Sequence, residues 1–167
     1  MRLITKNDIL NQRQISKSVK EITINQFIDD AQVTDLLPLL GEAFYFTILA
    51  DPTNFTDLLN EKQYVYDDVT ITSPGLKKVL IDFATARYIL HGSQTDTPFG
   101  MVEKQYQDGT QVSRTDKKER YKARQQTAMT LWYQVEKYLN RHTELYPKWN
   151  SGCTTKRRKF RINKISR

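Results

Sequence analysis

The strongest structural signal in the chain is an amphipathic helix that leads into a loop rich in turn-forming residues. Ser73 and Pro74 predict the helix start, because a serine hydroxyl accepts hydrogen bonds from free helix amides and proline suits the first helical position. The helical period separates an apolar face (Leu76, Val79, Leu80, Phe83, Ala84 and Tyr88) from a polar face (Lys78, Asp82 and Thr85). Gly92 predicts a left-handed helix end, and residues 93–100 contain the residue types of a fixed turn. We expect this segment to hold a shape and present it to a partner.

The remaining sequence predicts a mainly α-helical fold. Thr5 with Asp8 is typical of a capped helix start, and this first helix is expected to end near Asn11. Further helices are predicted at residues 25–34, at 35–40 with an interruption at Pro38, at 42–50 after Gly41, at 54–60 with Asn54 as the cap, and at 113–142. The expected fold class is a compact helical domain with a short β-hairpin and an extended basic C-terminal tail.

The hairpin is predicted at residues 63–72. Tyr64, Tyr66, Val69 and Ile71 favour two short strands, and Asp67 and Asp68 favour a tight turn between them. An isolated hairpin is marginally stable, so it must pack on the helices or on a neighbouring subunit. An irregular linker is the open alternative.

The last predicted helix, at residues 113–142, has two different halves. Its second half carries an apolar stripe (Tyr121, Ala128, Leu131, Trp132, Val135, Tyr138 and Leu139), which predicts packing on the core. Its first half is almost entirely charged. That half either is solvated or lies against a charged partner.

Net charge divides the chain into a neutral domain, residues 1–149, and a basic tail, residues 150–167. Of 26 basic and 19 acidic residues, the tail holds seven basic ones and no acidic one, so the whole net charge of +7 belongs to it. Its basic residues alternate with apolar ones, and the predicted partner-binding set is Lys156, Arg157, Arg158, Lys159, Phe160, Arg161, Ile162, Lys164 and Ile165. Three interpretations are open: docking on a protein, contact with DNA, and a solvated end.

Arg87 is predicted to make a structural ion pair. The helical period places it within the apolar face, and a buried guanidinium requires a partner. Glu42 and Asp96 are the nearest candidates by motif for an internal pair. A contact across a subunit boundary is the alternative, and Arg124 on the last predicted helix invites the same two interpretations.

The sequence offers no recognisable catalytic, metal or cofactor site. The two histidines, His91 and His142, lie at predicted helix ends, where a partly positive imidazole is favourable. The chain lacks paired metal-ligand spacings and glycine-rich phosphate loops, and Cys153 lies in the tail without a preorganised base. We therefore expect a protein that is not an enzyme and needs no cofactor.

Composition also restricts the expected location. No apolar run approaches the roughly 20 residues of a membrane span, and the N-terminus lacks the pattern of a signal peptide. One cysteine excludes an internal disulfide framework and is compatible with a reducing cytoplasm. These features predict synthesis in a cytoplasm and no membrane partner.

Three sequence blocks resemble a family of structural proteins of tailed phages that infect Bacteroidetes, including crAss-like phages. The blocks are LLPLLGEAFYFTIL (36–49), ARYILHGSQTDTPFGMVEK (86–104) and YKARQQTAMTLWYQVEKYL (121–139). The resemblance implies a head–tail connector, a mostly helical adaptor that forms a homo-oligomeric ring of about twelve copies. A portal protein would lie above the ring and a tail or second ring protein below it, with genomic DNA in the channel.

This resemblance implies a structural protein of the virion neck, between capsid and tail, made in the host bacterial cytoplasm. The predicted subunit interface combines the hairpin with the loop: Tyr64, Tyr66, Thr95, Asp96, Thr97, Pro98 and Phe99. The alternative function, from the residues alone, is a small basic nucleic-acid-binding protein that acts through its C-terminal tail.

Overall fold

The structure is a computed structural model that describes residues 1–97, 100–103 and 112–149, with the backbone alone at 94–97 and 100–103. Seven α-helices and four β-strands are present in these ranges. The helices are α1 (Lys6–Gln12), α2 (Glu21–Ala31), α3 (Leu37–Leu40), α4 (Glu42–Ala50), α5 (Thr56–Leu59), α6 (Leu76–His91) and α7 (Arg114–Arg141). The strands are β1 (Lys62–Tyr66), β2 (Val69–Ser73), β3 (Gln94–Thr97) and β4 (Gly100–Glu103). The mainly helical prediction is confirmed.

Local sequence signals predicted the positions of several elements correctly. Thr5 and Asp8 form the predicted capping box at the start of α1. The side chain of Ser113 accepts a hydrogen bond from the amide of Asp116 and begins α7. Helix α4 covers residues 42–50 as predicted, and a pair of strands, β1 and β2, lies where the hairpin was expected.

The predicted interruption at Pro38 is absent, and a π-helical turn, Gln32–Leu36, joins α2 to α3 instead. The amide of Leu37 donates to the carbonyl of Gln32, five residues back. A proline has no amide hydrogen and its ring collides with the carbonyl four residues earlier, so a wider turn accommodates it without ending the helix. The predicted start of α2 at residue 25 is also late, because the helix begins at Glu21.

The start of α6 differs from its prediction. Ser73 is the last residue of β2, and its buried hydroxyl has no hydrogen-bond partner among the described residues. Gly75 is the N-cap instead, with a φ of 77°. A Cβ there would lie 2.4 Å from the backbone of Asn60, so a close chain approach and a left-handed φ both require glycine.

Two other predicted caps are wrong. Gly92 follows α6 with a φ of −66°, so it does not form a left-handed turn. Glycine is needed there because a Cβ would lie 2.5 Å from the ring and the carbonyl of Tyr88. The chain before α5 begins with a 3₁₀ turn, Pro52–Phe55, and Asn54 donates its side-chain amide to Asp51 rather than capping a helix.

Helix α6 is the centre of the core, with α7 on one side, α2 on another and α1 and α5 at its beginning. Every residue from Leu76 to Ala86 except Lys77 and Lys78 is buried. Asp82 and Thr85, which the helical period places on the polar face, are therefore buried, because neighbouring helices cover both sides of α6. After α7, Tyr146 and Trp149 pack against Phe44 and extend the core almost to the end of the described chain.

Candidate subunit interface

The β1–β2 hairpin has a two-residue turn. Tyr66 pairs with Val69, and Asp67 and Asp68 between them have φ angles of 50° and 60°. Positive φ at both central residues defines the turn type whose twist matches that of a hairpin. Aspartate tolerates this conformation better than most residues because its short side chain can bond to nearby backbone.

One face of the hairpin is fixed on the C-terminal part of α7. The ring of Tyr64 packs 5.1 Å from that of Tyr138 and 5.2 Å from that of His142, measured between centroids. The guanidinium of Arg141 lies 3.7 Å from the ring centroid of Tyr66 and donates to the Tyr64 hydroxyl at 2.8 Å. Aromatic packing and a cation–π contact therefore hold the hairpin as a firm projection.

The opposite face and the tip of the hairpin are exposed. Val65 is 69% exposed, Val69 58% and Tyr66 42%. Within the described ranges β1 and β2 pair only with each other, so each strand has a free backbone edge. Exposed apolar side chains beside unpaired edges are a surface suited to pairing with another chain.

The second part of the predicted interface, the loop after α6, includes one strand of a second hairpin, of which the structure describes the backbone. The loop predicted at residues 93–100 contains β3, in which Thr95 pairs with Val102 and Thr97 with Gly100 of β4. The two hairpins are hydrogen-bonded in separate sheets. Pro98 and Phe99 lie outside the described residues, so the interface predicted at Thr95, Asp96, Thr97, Pro98 and Phe99 stays a prediction.

Arg87 makes an ion pair within the subunit, with a different partner from those predicted. Its guanidinium lies 2.8 Å from the carboxylate of Asp35 and also donates to the hydroxyl of Thr34. The π-helical turn carries both acceptors, which are more than 50 residues away in sequence. Burial raises the pKa of Asp35 above its usual value, although the hydrogen bond and charge of Arg87 act in the opposite direction.

A second ion cluster was missed by the sequence analysis. The carboxylate of Asp82 is fully buried and accepts two hydrogen bonds of 2.7 Å from Arg13. Arg124 contacts the same carboxylate at 3.4 Å, which agrees with an internal pair for that residue. The pKa of the Arg13 guanidinium lies above its ordinary value because of these hydrogen bonds. Arg13 belongs to a polar connector with no periodicity, so no sequence signal connected it to Asp82.

Arg13 and Arg124 of this cluster also line an open groove of about 610 Å³ between the connector after α1 and helices α6 and α7. Its lining residues comprise three arginines, several neutral polar residues and a few apolar ones: Gln12, Arg13, Gln14, Ile15, Thr85, Tyr88, Ile89, Arg120, Ala123, Arg124 and Thr127. None of these described lining residues is acidic. We call this surface the basic groove.

The remaining predicted binding residues lie outside the described chain. They are the partner-binding set from Lys156 to Ile165 in the basic tail. In the part of the chain that is described, no group of three or more His, Cys, Asp and Glu side chains is arranged to hold a metal ion. None of the described helices has the length and apolar character required to cross a membrane.

Comparisons with known proteins identify a family but no activity. Residues 36–159 match the model of a family of unknown function (DUF6712). No curated protein matches the chain. No solved structure matches it either. Because the family match covers well over half of the 167 residues, the chain belongs to DUF6712.

Proposed function

We propose that this member of DUF6712 is a structural virion protein that forms a ring between the capsid and the tail of a phage. It would act as a head–tail connector, with a portal protein above, a tail or second ring protein below and genomic DNA passing through its channel. Its mechanism is assembly, without a catalytic step or a cofactor. The resemblance of three sequence blocks to phage connectors supports the proposal, and all three lie within the residues that define the family match.

The observation that carries the proposal is the β1–β2 hairpin, which is packed on α7 but incompletely covered. A two-stranded sheet gains little stability by itself, and here one face packs on α7 while Val65 and both strand edges are left exposed. A neighbouring subunit would cover this surface in a ring. An exposed apolar side chain beside free strand edges is a surface on which another chain can pair, as ring assembly requires.

The first experiment is the mass of the purified protein by light scattering, alone and with a candidate portal protein. We expect a large ring in at least one of the two samples. Val65→Lys should reduce the assembled mass, because it places a charge on the hairpin face that a neighbour would cover. Val33→Lys is the matched control, since Val33 is 57% exposed and lies on the π-helical turn rather than on the hairpin.

A persistent monomer that ignores the portal would contradict the proposal. If that monomer also shifts labelled DNA, the alternative of a nucleic-acid-binding protein is favoured, since the tail alone carries seven basic residues. Salt separates the two functions. Binding through phosphates weakens steeply with added salt, with a logarithmic slope of about −0.9 per neutralised phosphate, whereas a docked apolar tail weakens less.

A further inference from the structure

The basic groove has more positive charge than the described residues of its own subunit neutralise. Arg13 and Arg124 share the single carboxylate of Asp82. Arg120, four residues before Arg124 on α7, is exposed and has no ion-pair partner among the described residues. Residues four apart lie on the same helix face, and like charges at this spacing repel each other. A carboxylate placed between Arg120 and Arg124 would remove that repulsion.

The hairpin tip, residues 66–69, has the complementary composition. Asp67 and Asp68 are adjacent, exposed and without an ion-pair partner in the described chain. The exposed side chains of Tyr66 and Val69 flank them. This tip carries two carboxylates beside Tyr66 and Val69, and the groove offers three arginines together with the side chains of Ile15, Tyr88 and Ile89, so the two surfaces are complementary in charge and in apolar character.

The hairpin tip and the basic groove are far apart on one subunit. The hairpin packs at Arg141, whereas the last groove residue on α7 is Thr127, so the two attachment points are about 21 Å apart along α7. Two different complementary surfaces at separate positions produce a head-to-tail contact. Such contacts close into rings when the rotation between subunits permits it.

We propose that the hairpin tip of one copy inserts into the basic groove of the next. Asp67 and Asp68 pair with Arg120 and Arg124 of the neighbour, while Tyr66 and Val69 contact the apolar side chains that line the groove. This inference rests on the proposed ring and specifies the contact that closes it. It also gives the charged first half of α7 a partner: the acidic tip of an adjacent copy.

Two variants test the contact from opposite sides. Asp67→Asn with Asp68→Asn removes the charge of the tip and preserves the turn, because asparagine accepts positive φ as readily as aspartate. Arg120→Glu reverses one charge of the groove and leaves the three residues of the Asp82 cluster themselves unchanged. Each should weaken self-association on the order of 100-fold, as expected when one side of an interfacial charge pair is lost. The controls are Asp30→Asn with Glu144→Gln, and Arg114→Glu, which make the same charge changes elsewhere on the exposed surface.

Mixing the two variants adds a specific readout by light scattering. The tip variant retains an intact groove and the Arg120→Glu variant retains an intact tip, so the mixture should form a one-to-one dimer that cannot grow. If the tip variant assembles as the wild type does, the inference is overturned and the ring proposal survives. If Arg120→Glu abolishes DNA binding but leaves assembly unchanged, the groove belongs to nucleic acid and the inference is again overturned.

If the isolated wild-type protein is monomeric, the ring does not form without the portal. A direct crosslink then tests the contact between the hairpin tip and the basic groove. Arg120→Lys keeps the charge and supplies an amine that a carbodiimide couples to a carboxylate in contact. A coupled peptide joining Lys at position 120 to Asp67 or Asp68 supports the contact, because these positions are too distant within one subunit. Absence of that peptide at the highest attainable concentration overturns the inference independently of the ring.

Discussion

Replacement of Asp82 by asparagine tests how far the buried ion cluster stabilises this fold. The Asp82 carboxylate is fully buried, and it accepts two 2.7 Å hydrogen bonds from Arg13 and a longer contact from Arg124. Asparagine keeps the size and one acceptor but removes the charge that neutralises two guanidinium groups. Breaking a buried pair by removing one partner costs about 3–5 kcal/mol.

The expected cost lies at the lower end of that range. The side chains of Arg13 and Arg124 are 20% and 39% exposed, so water partly solvates the two cations that Asp82→Asn leaves without a carboxylate. We expect a loss of about 3 kcal/mol in the free energy of unfolding. For a chain of this size that loss lowers Tm by about 6–12 °C.

A surface pair of the same geometry provides the control. Asp29 accepts two hydrogen bonds of 2.7 Å from Arg2, but these side chains are 47% and 43% exposed. Asp29→Asn should therefore cost much less than Asp82→Asn, because water solvates both groups of this pair. Urea unfolding followed by circular dichroism, at one protein concentration for all variants, measures both losses. Equal losses for the two variants would refute the argument that burial determines the contribution of the Asp82 cluster.

Three further predictions follow from particular residues. Ser73→Ala should leave the free energy of unfolding unchanged or raise it by up to about 1 kcal/mol, because the buried hydroxyl has no partner in the described chain. Chemical denaturation measures this change, and a loss of about 1 kcal/mol would indicate that Ser73 caps α6 as first predicted. Deletion of residues 150–167 should leave a folded protein that no longer joins portal-containing particles, and normal incorporation would contradict tail docking. Asp35 has a raised pKa in the folded state, so its contribution to stability is present below its unfolded pKa and is lost as pH rises through the folded pKa. The free energy of unfolding of the wild type, minus that of Asp35→Asn, should thus fall as pH rises above about 4. A value that rises with pH instead would contradict the raised pKa of Asp35.

Short-range signals made several elements predictable. The turn at Asp67 and Asp68, the Thr5–Asp8 capping box and the start of α7 at Ser113 depend on residues within four positions of one another. In such cases backbone sterics and local hydrogen bonds decide the conformation before any tertiary contact forms. The mainly helical class follows from the same local patterns.

The candidate interface was only partly predictable. Alternation within a strand identified Tyr64 and Tyr66. Which face of the hairpin packs on α7, however, depends on Tyr138, His142 and Arg141, which are far away in the sequence. The basic groove was missed altogether. Its arginines come from the connector after α1 and from α7, and no spacing in the sequence brings those segments together.

The sequence by itself determined most of the helices and the β1–β2 hairpin, since propensity, capping and turn chemistry act over a few residues. Only the tertiary structure decided which polar residues became buried and which partners they found. Asp82 is on the polar side of α6 by helical period, yet packing of α7 and the connector on that side buries it against Arg13. Arg87 likewise pairs with Asp35 rather than with a residue near its motif. The physical reason is that a helix enclosed on several sides has no solvated face, so each buried charge must pair with whichever opposite charge the fold brings within reach.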